Sequence, residues 1–165
     1  MTHPEQRPAV RLREVAESDL PIFFEQQLDP EAIRMAAFTA ADPADRAAFD
    51  RHWARILADA TIVNRTVEAD GAVAGHVACF VEDGRREVTY WLGRAFWGRG
   101  VATRALAALL DLIAERPLHA RAAKDNPASL RVLERCGFAI VGEDRGFANG
   151  RGAEAEEWLL ALPPR

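Results

Sequence analysis

The chain has 165 residues, of which 49% are apolar, and a net charge of −4, which suits one globular domain with a substantial core. Lysine occurs only once and no block of basic residues stands out, so a nucleic-acid partner is not expected. No apolar run approaches the roughly 20 residues of a membrane span, and the polar Met1–Pro8 segment lacks the apolar core of a signal peptide, so we predict a cytoplasmic protein without a membrane partner.

The cysteines and histidines do not form a metal-binding pattern. Cys79 and Cys136 lie far apart in apolar segments, and both are predicted to be buried core thiols. The four histidines are scattered along the chain and form no cluster. The sequence therefore predicts no metal site.

The first elements in the chain are predicted to be a strand and a helix. Alternating apolar and polar residues indicate a strand over Val10–Val15. Ser18 and Asp19 are predicted to cap a helix that runs to about Leu28. Pro21 fits the first turn of this helix, where its missing N–H costs nothing.

A looser stretch, 29–41, is predicted to separate this helix from the next one. Asp42 and Pro43 resemble a second cap and first-turn proline. The apolar residues that follow recur at helical spacing, and we interpret them as core packing. They are Phe49, Trp53, Ile56 and Leu57.

Three consecutive antiparallel strands are predicted over 61–67, 73–81 and 87–92, because these segments are rich in β-branched and aromatic residues. The turns between them are marked by Asp70-Gly71 and Asp83-Gly84.

A long helix is predicted from Val101 to about Glu115, where Pro117 stops it. The strand at 118–123 follows this crossover helix and is expected to lie parallel to the strand at 87–92. Another helix, two strands and a glycine-rich loop complete the chain. These are the helix 127–136 between Asn126 and Gly137, the strand 138–141, the loop 146–152 and the strand 155–162.

A glycine-rich turn precedes the helix that begins at Val101. Gly98 and Gly100 lie where that helix presents its unpaired N–H groups, which attract an anion. Glycines let a phosphate approach the backbone because no Cβ stands in the way, and Arg99 adds a positive charge. We interpret the turn as a pyrophosphate site, with turn geometry alone as the other interpretation.

Two other phosphate-binding loops fit less well. The P-loop requires a lysine after its glycines, which is absent here, so a nucleotide triphosphatase is not expected. The dinucleotide fingerprint requires a third glycine where this chain has Thr103, and too little sequence remains for a second half of that domain. A dinucleotide-dependent oxidoreductase stays open as an alternative.

The segment Trp97–Thr103, WGRGVAT, resembles the acetyl-CoA-binding signature of the GNAT superfamily of N-acetyltransferases. Gly100 and Ala102 occupy the last two fixed positions of the general pattern Q/R-x-x-G-x-G/A. Trp97 departs from its first position. It is similar to the W-G-x-G-x-A-T variant of the branch that includes the ribosomal-protein N-terminal acetyltransferases.

A second segment, 123–138, resembles the other GNAT signature, N-x-x-S-x-x-V/L-L/Y-x-K/R-x-G-F. The matching residues are Asn126, Ser129, Leu133, Arg135, Gly137 and Phe138. The predicted order β-α-α-β-β-β-α-β-α-β-β is also that of the GNAT fold. The resemblance implies one N-acetyltransferase domain over 10–162, of the α+β (mixed α/β) class, with a central mixed, mostly antiparallel sheet flanked by helices.

The resemblance also implies an activity, the transfer of an acetyl group from acetyl-CoA to a primary amine in a ternary complex. Glu87 is predicted as the base that takes the amine proton, the alternative being an exposed charge at a strand edge. Backbone N–H groups near Trp91 and Leu92 are implied to stabilise the oxyanion. Many family members carry a tyrosine acid at the position of Leu133, and the similar branch is thought to use the serine at Ser129.

The remaining predicted site residues fall into two sets. The resemblance implies that acetyl-CoA contacts Trp91, Leu92, Trp97, Gly98, Arg99, Gly100, Val101, Ala102, Thr103 and Asn126. The acceptor is expected near the first helices and the loop between them, at Met35, Phe38 and Thr39, with Trp53 as a further candidate.

The acceptor itself is left open by the sequence. An acidic protein with Glu87 in the cleft suits a cationic amine, either a protein N-terminal α-amine or a small molecule. The main alternative to an enzyme is a non-catalytic module with the GNAT fold, which binds acyl-CoA without turnover. A monomer or a homodimer is expected.

Overall fold

The computed structural model describes residues 7–164, so most of the polar Met1–Pro8 segment lies outside the described residues. The strands are β1 (Val10–Arg13), β2 (Val63–Ala69), β3 (Ala72–Glu82), β4 (Arg85–Leu92), β5 (Leu118–Ala123), β6 (Ala139–Ala148) and β7 (Ala153–Leu162). The helices are α1 (Leu20–Gln27), α2 (Pro30–Ala36), α3 (Arg46–Ala58), α4 (Val101–Leu112) and α5 (Pro127–Arg135).

All seven strands form one sheet in the order β1-β2-β3-β4-β5-β7-β6. Every neighbouring pair is antiparallel except β4 and β5, which are parallel across the α4 crossover. The predicted fold class, a mixed and mostly antiparallel sheet flanked by helices, is confirmed. The predicted parallel pairing of the strand after the long helix is also correct.

The feature of this sheet that positions the site is a gap between β4 and β5. These strands are in register at a single pair, Glu87 with His119. Beyond that pair, β5 follows β7 along its whole length while β4 stays with β3. Residues 88–92 of β4 and residues 120–123 of β5 therefore diverge and leave a wedge open in the middle of the sheet.

Two apolar layers cover the two faces of the sheet. On one face α4 buries its apolar stripe against β1, β2, β3 and β4, with Val101, Ala105, Leu106 and Leu109 almost completely buried. On the other face α1 and α3 pack as an aromatic cluster of Phe23, Phe49 and Trp53. Trp53 therefore belongs to the core rather than to an acceptor pocket, as the core-packing interpretation of its helix predicted.

The N-terminal helices differ from the prediction in two places. The stretch 29–41 is not loose, because α2 forms within it and the Asp29 carboxylate caps its start by accepting the Glu31 N–H at 3.0 Å. α3 begins at Arg46 rather than after Asp42 and Pro43. Its cap is Asp45, whose carboxylate accepts the Ala48 N–H at 3.0 Å.

Asp19 does not cap α1, contrary to the prediction. Its buried carboxylate instead accepts two hydrogen bonds from Arg13, at 2.7 and 2.8 Å, and one from the Thr66 hydroxyl at 2.7 Å. The Arg13 hydrogen bonds are the main cause that lowers the pKa of Asp19 to about 2. Asp19 thus joins the start of α1 to β1 and β2 as an anchor. The first strand also ends at Arg13, two residues earlier than predicted.

Two element boundaries and the burial of one cysteine in the C-terminal half also differ from the prediction. α4 ends at Leu112, because the backbone turns extended at Ile113 and buries that side chain in the core. β6 continues through Gly146 to Ala148, because its pairing with β7 continues that far, so the glycine-rich loop is confined to 149–152. Cys136 is only partly buried, whereas Cys79 is in the core as predicted.

Candidate active site

A cavity of about 630 Å³ opens at the wedge between β4 and β5 and continues to α2, α4 and α5. Most of the predicted site residues line it. These are Glu87, Ser129, Trp91, Leu92, Trp97, Gly98, Gly100, Val101, Ala102, Thr103, Asn126, Met35 and Phe38. Arg99 and Thr39 are not part of the lining, and the Arg99 side chain is exposed.

The glycine turn and the start of α4 form one end of this cavity. Gly98 and Gly100 adopt φ of 72° and 75°, in the left-handed region that favours glycine. A Cβ at Gly98 would meet no atom within 4 Å, so the backbone faces open space. Gly100 caps α4 without a side chain, which leaves the N–H groups of Val101, Ala102 and Thr103 available to an anion.

Two tryptophans brace the turn from inside the protein. The Trp97 indole N–H donates to the Leu92 carbonyl at 3.1 Å, and this bond ties the turn to the end of β4. The Trp91 indole N–H donates to the Gln26 carbonyl at 3.2 Å and ties β4 to α1. Both residues line the cavity, and both also support its walls.

Glu87 lies at the point where β4 and β5 separate, and it is buried with 7% exposure. The alternative of an exposed charge at a strand edge is therefore wrong. Arg121 of β5 donates its Nε–H to Glu87 Oε1 at 3.2 Å and an Nη1–H to Glu157 Oε1 at 2.8 Å. Glu157 of β7 is also buried and lines the cavity.

The end of the cavity near Glu87 consequently contains two buried carboxylates and one guanidinium. The hydrogen bond to Glu157 is the main cause that raises the pKa of Arg121, so this group stays a cation. Asp144 adds a third carboxylate at 3.4 Å from Arg121 on the exposed side. This excess of negative charge favours a protonated amine over an anion.

Arg121 and Glu157 are functional candidates that the sequence analysis missed. One signal in the sequence could have indicated Arg121. Side chains alternate between the two faces of a strand, so Arg121 lies on the opposite face from Ala120 and Ala122. Its pairing with Glu87 depends on the parallel register of β4 and β5, which no local pattern contains.

Ser129 lies on the helix side of the cavity, in the first turn of α5. Its backbone N–H donates to Asn126 Oδ1 at 3.2 Å, so Asn126 caps α5 as its spacing predicted. The Asn126 side chain also donates to the Met35 carbonyl at 3.2 Å and so links α5 to the end of α2. The Ser129 hydroxyl lies 3.0 Å from the hydroxyl of Tyr90, another residue that the sequence analysis missed.

The turn between β6 and β7 supports the wall formed by Met35 and Phe38. Gly150 N–H donates to the Ala37 carbonyl at 2.8 Å, and Arg151 donates to the Arg34 carbonyl at 2.6 Å. A Cβ at Gly150 would lie 2.4 Å from the carbonyl oxygen of Ile33, so only glycine permits this contact. This wall therefore depends on segments more than 100 residues apart, as the separation of Arg151 from Arg34 illustrates.

Residues 7–164 contain no group of three or more His, Cys, Asp or Glu side chains that could hold a metal ion. Within the same range, no helix has both the length and the apolar character needed to cross a bilayer. The expected absence of a metal stays a prediction.

Comparison with known proteins identifies similar chains. An uncharacterized N-acetyltransferase, p20 of Bacillus licheniformis, is 29% identical over 108 residues, which are 63% of this chain and 60% of that protein. The chain thus spans about 60% of the length of this curated relative.

Solved structures share the fold. RimJ of Mycobacterium smegmatis, in complex with CoA-disulfide, superposes with a TM-score of 0.79 at 23% identity, over 93% of this chain and 81% of that one. The spermidine N-acetyltransferase of Vibrio cholerae, with CoA and spermine, has a TM-score of 0.75 at 17% identity, over 93% and 95%. RimL, a ribosomal L7/L12 α-N-protein acetyltransferase with coenzyme A, has a TM-score of 0.75 at 19% identity, over 94% and 95%.

The model of the acetyltransferase (GNAT) domain family matches residues 9–139. These residues contain β1 to β5, α1 to α5 and both motifs that resemble the GNAT signatures. The match covers most of the chain and confirms the resemblance. This protein therefore belongs to the GNAT acetyltransferase family.

Proposed function

We propose that the protein is an N-acetyltransferase that moves an acetyl group from acetyl-CoA to a primary amine by direct attack in a ternary complex. The observation that carries this proposal is the continuous cavity at the β4–β5 wedge. Unpaired N–H groups of α4 border it on one side and the buried carboxylate of Glu87 on the other. Two substrates that enter from opposite ends would meet in the wedge.

On the donor side, the pyrophosphate of acetyl-CoA would accept hydrogen bonds from the α4 N–H groups after Gly100. The extended pantetheine arm would lie in the wedge, where residues 88–92 of β4 have no partner on β5. Asn126 borders the same space from α5 and would contact the arm. Acetyl-CoA is a substrate in this scheme, and no metal is required.

The chemistry follows from the groups on either side of the thioester. Glu87 would accept the proton of the amine, directly or through water, and so create the nucleophile. Backbone N–H groups of β4 near Trp91 and Leu92 would stabilise the oxyanion. Ser129 would donate a hydrogen bond to the sulfur as the carbon–sulfur bond breaks.

The acceptor is proposed to be cationic at neutral pH. The buried pair Glu87 and Glu157 outnumbers the guanidinium of Arg121, and Met35 and Phe38 add an apolar wall. A protein N-terminal α-amine and a small polyamine both fit this chemistry. RimL, a ribosomal-protein α-N-acetyltransferase, and the spermidine N-acetyltransferase both share the fold. We further propose that the protein acts in the cytoplasm, as a monomer or a homodimer, without nucleic acid.

The first test is a thermal-shift titration with acetyl-CoA, CoA, NADH and ATP, because a ligand that binds only the folded state raises the melting temperature. Stabilisation by acetyl-CoA and CoA alone is expected. Release of free thiol would then be measured with peptides bearing free N-termini and with polyamines. Stabilisation by CoA without turnover of any amine would favour the non-catalytic module, and a shift with NADH alone would revive the oxidoreductase.

A further inference from the structure

The hydroxyl of Ser129 is paired with the hydroxyl of Tyr90, a residue that has no role in the proposed chemistry so far described. Tyr90 projects from β4 and Ser129 from the first turn of α5, and their oxygens are 3.0 Å apart. Both residues line the cavity on its helix side, on the opposite face of the sheet from Glu87 and Arg121. The pair therefore lies next to the space assigned to the thioester arm.

The direction of this hydrogen bond follows from the chemistry of the two hydroxyls. A phenol is a better donor than an aliphatic alcohol, and a serine hydroxyl has two lone pairs that accept and one proton that it donates. If Tyr90 donates to Ser129 Oγ, the proton of Ser129 remains free to point into the cavity. If Ser129 donated instead, its only proton would be used within the protein.

Two further observations support the first arrangement. Burial raises the pKa of Tyr90, so the phenol keeps its proton at neutral pH. Asn126 fixes the backbone of Ser129, so the hydroxyl has a defined position at the start of α5. Leu133, one turn later on α5, is buried and provides no hydroxyl of its own.

We propose that Tyr90 is a positioning residue that directs the Ser129 hydroxyl at the sulfur of the departing thiolate. This inference rests on the proposed acetyltransfer. The amine nitrogen forms its bond to the thioester carbon, the carbon–sulfur bond breaks, and its electron pair goes to sulfur. Ser129 donates a hydrogen bond to that sulfur without giving up its proton. The amine proton passes to Glu87 and to water, and water protonates the thiolate.

The test is a double-mutant cycle of Tyr90→Phe and Ser129→Ala. Each single variant is expected to lower kcat about tenfold to a hundredfold with little change in either KM, because a hydrogen bond made mainly in the transition state is lost. The double variant is expected to be no slower than Ser129→Ala, because Tyr90 acts only through Ser129. Additive losses, or a normal kcat for Tyr90→Phe, would overturn the proposal. Thr61→Val, which removes a distant exposed hydroxyl, is the control.

A binding measurement separates this inference from the proposed function. Calorimetry compares CoA with desulfo-CoA, which lacks the sulfur, at increasing pH. Wild-type protein is expected to prefer CoA once its thiol ionises, and the preference is expected to shrink in Tyr90→Phe and to vanish in Ser129→Ala. Equal wild-type affinities for the two ligands would overturn the role of the pair while leaving donor binding intact. Binding of neither ligand would overturn the proposed function and this inference together.

Discussion

The two ends of the cavity are built in different ways. The donor end uses backbone N–H groups from one continuous run, Gly98 to Thr103, at the start of a helix. The acceptor end uses side chains of three strands, Glu87, Arg121 and Glu157, and a wall held in place by a distant turn. Backbone atoms recognise what every CoA ester has in common, whereas side chains can change from one protein to the next. The proposed roles therefore imply that the fold fixes the choice of donor, whereas a few substitutable side chains set the choice of acceptor.

The largest effect is expected from Glu87→Gln, which should separate the chemistry from donor binding. Loss of the base is expected to lower kcat by about a hundredfold to ten-thousandfold, while the Kd for CoA stays unchanged. Steady-state kinetics and calorimetry measure the two quantities. Glu82→Gln removes an exposed carboxylate at the end of β3 and should change neither. A Glu87→Gln variant with full kcat would remove the base from the scheme.

The next largest effect is expected at Asp19, the anchor that joins the start of α1 to β1 and β2. Asp19→Asn breaks the bidentate pair of the buried Asp19 carboxylate with Arg13, which is partly exposed and keeps Glu68 as its other partner. The free energy of unfolding is expected to fall by about 2 kcal/mol, measured by chemical denaturation, because charge-assisted hydrogen bonds of a buried carboxylate are lost. Asp50→Asn removes an exposed pair with Arg46 and should cost less than about 0.5 kcal/mol. Equal losses of unfolding free energy in the two variants would show that the Asp19–Arg13 pair contributes no more to stability than an exposed ion pair.

Stability is also expected to depend on pH through the aromatic cluster of α1 and α3. His76 lies between Phe23 and Trp53 of this cluster, at ring-centre distances of 4.7 and 4.9 Å. Burial is the first cause that lowers the pKa of His76, from 6.5 to about 4, and the charge of His52 is a second cause. As the pH falls from 6.5 towards 4, the unfolded chain binds a proton that the folded chain does not, so stability decreases.

The expected loss over that pH range is about 2 kcal/mol, after allowance for partial exposure of the ring. Denaturation curves of wild type and His76→Leu at each pH isolate this contribution, since the other titrating groups are common to both. Hydrogen exchange should locate the loosening in α1 and α3 and leave α4 protected. Parallel pH curves for the two proteins would contradict the assignment.

Gly150→Ala is expected to affect the acceptor end alone. Its Cβ would collide with the Ile33 carbonyl and displace the turn from α2, so KM for the amine should rise about tenfold while the Kd for CoA is unchanged. Gly142→Ala is the matched control, because a Cβ there would make only ordinary contacts with Leu159. Equal KM values in the two variants would show that the turn does not shape the acceptor wall.

The smallest effect is expected for Gly100→Ala, which, in contrast to Gly150→Ala, should weaken CoA binding and leave the KM for the amine unchanged. The left-handed backbone becomes strained by about 1 kcal/mol, and the Kd for CoA should rise several-fold with no change in KM for the amine. Gly71→Ala carries the same strain in the turn between β2 and β3, with open space around it, and should leave the Kd unchanged. A similar loss of CoA affinity in both variants would point to general destabilisation.

The difference between a continuous backbone motif and side chains from separate strands also explains how much of the site could be predicted from the sequence. The donor turn and the residues of α5 were predictable, because Gly98, Gly100, Asn126 and Ser129 lie in short continuous motifs. Arg121 could not be paired with Glu87 because their contact depends on the register of two strands separated by a crossover helix.

For the fold, long elements with a regular pattern could be predicted from the sequence, whereas short elements and contacts between distant residues could not. Long periodic elements such as α4 and the three-stranded meander were predicted correctly. The short helix α2 was missed, because seven residues give little periodicity and its Asp29 cap was overlooked. Asp19 was misassigned as a cap because a capping residue and a buried ion-pair partner look alike until Arg13 and Thr66 are brought together in space.

The most direct test of the proposed donor site is a crystal structure of the protein with CoA. We predict that the pyrophosphate lies on the N–H groups of Val101, Ala102 and Thr103. The arm is predicted to fill the wedge between β4 and β5, with the sulfur beside Ser129. A CoA molecule bound elsewhere, or a wedge that stays empty while CoA is bound, would contradict the central claim that donor and acceptor meet through the sheet at this gap.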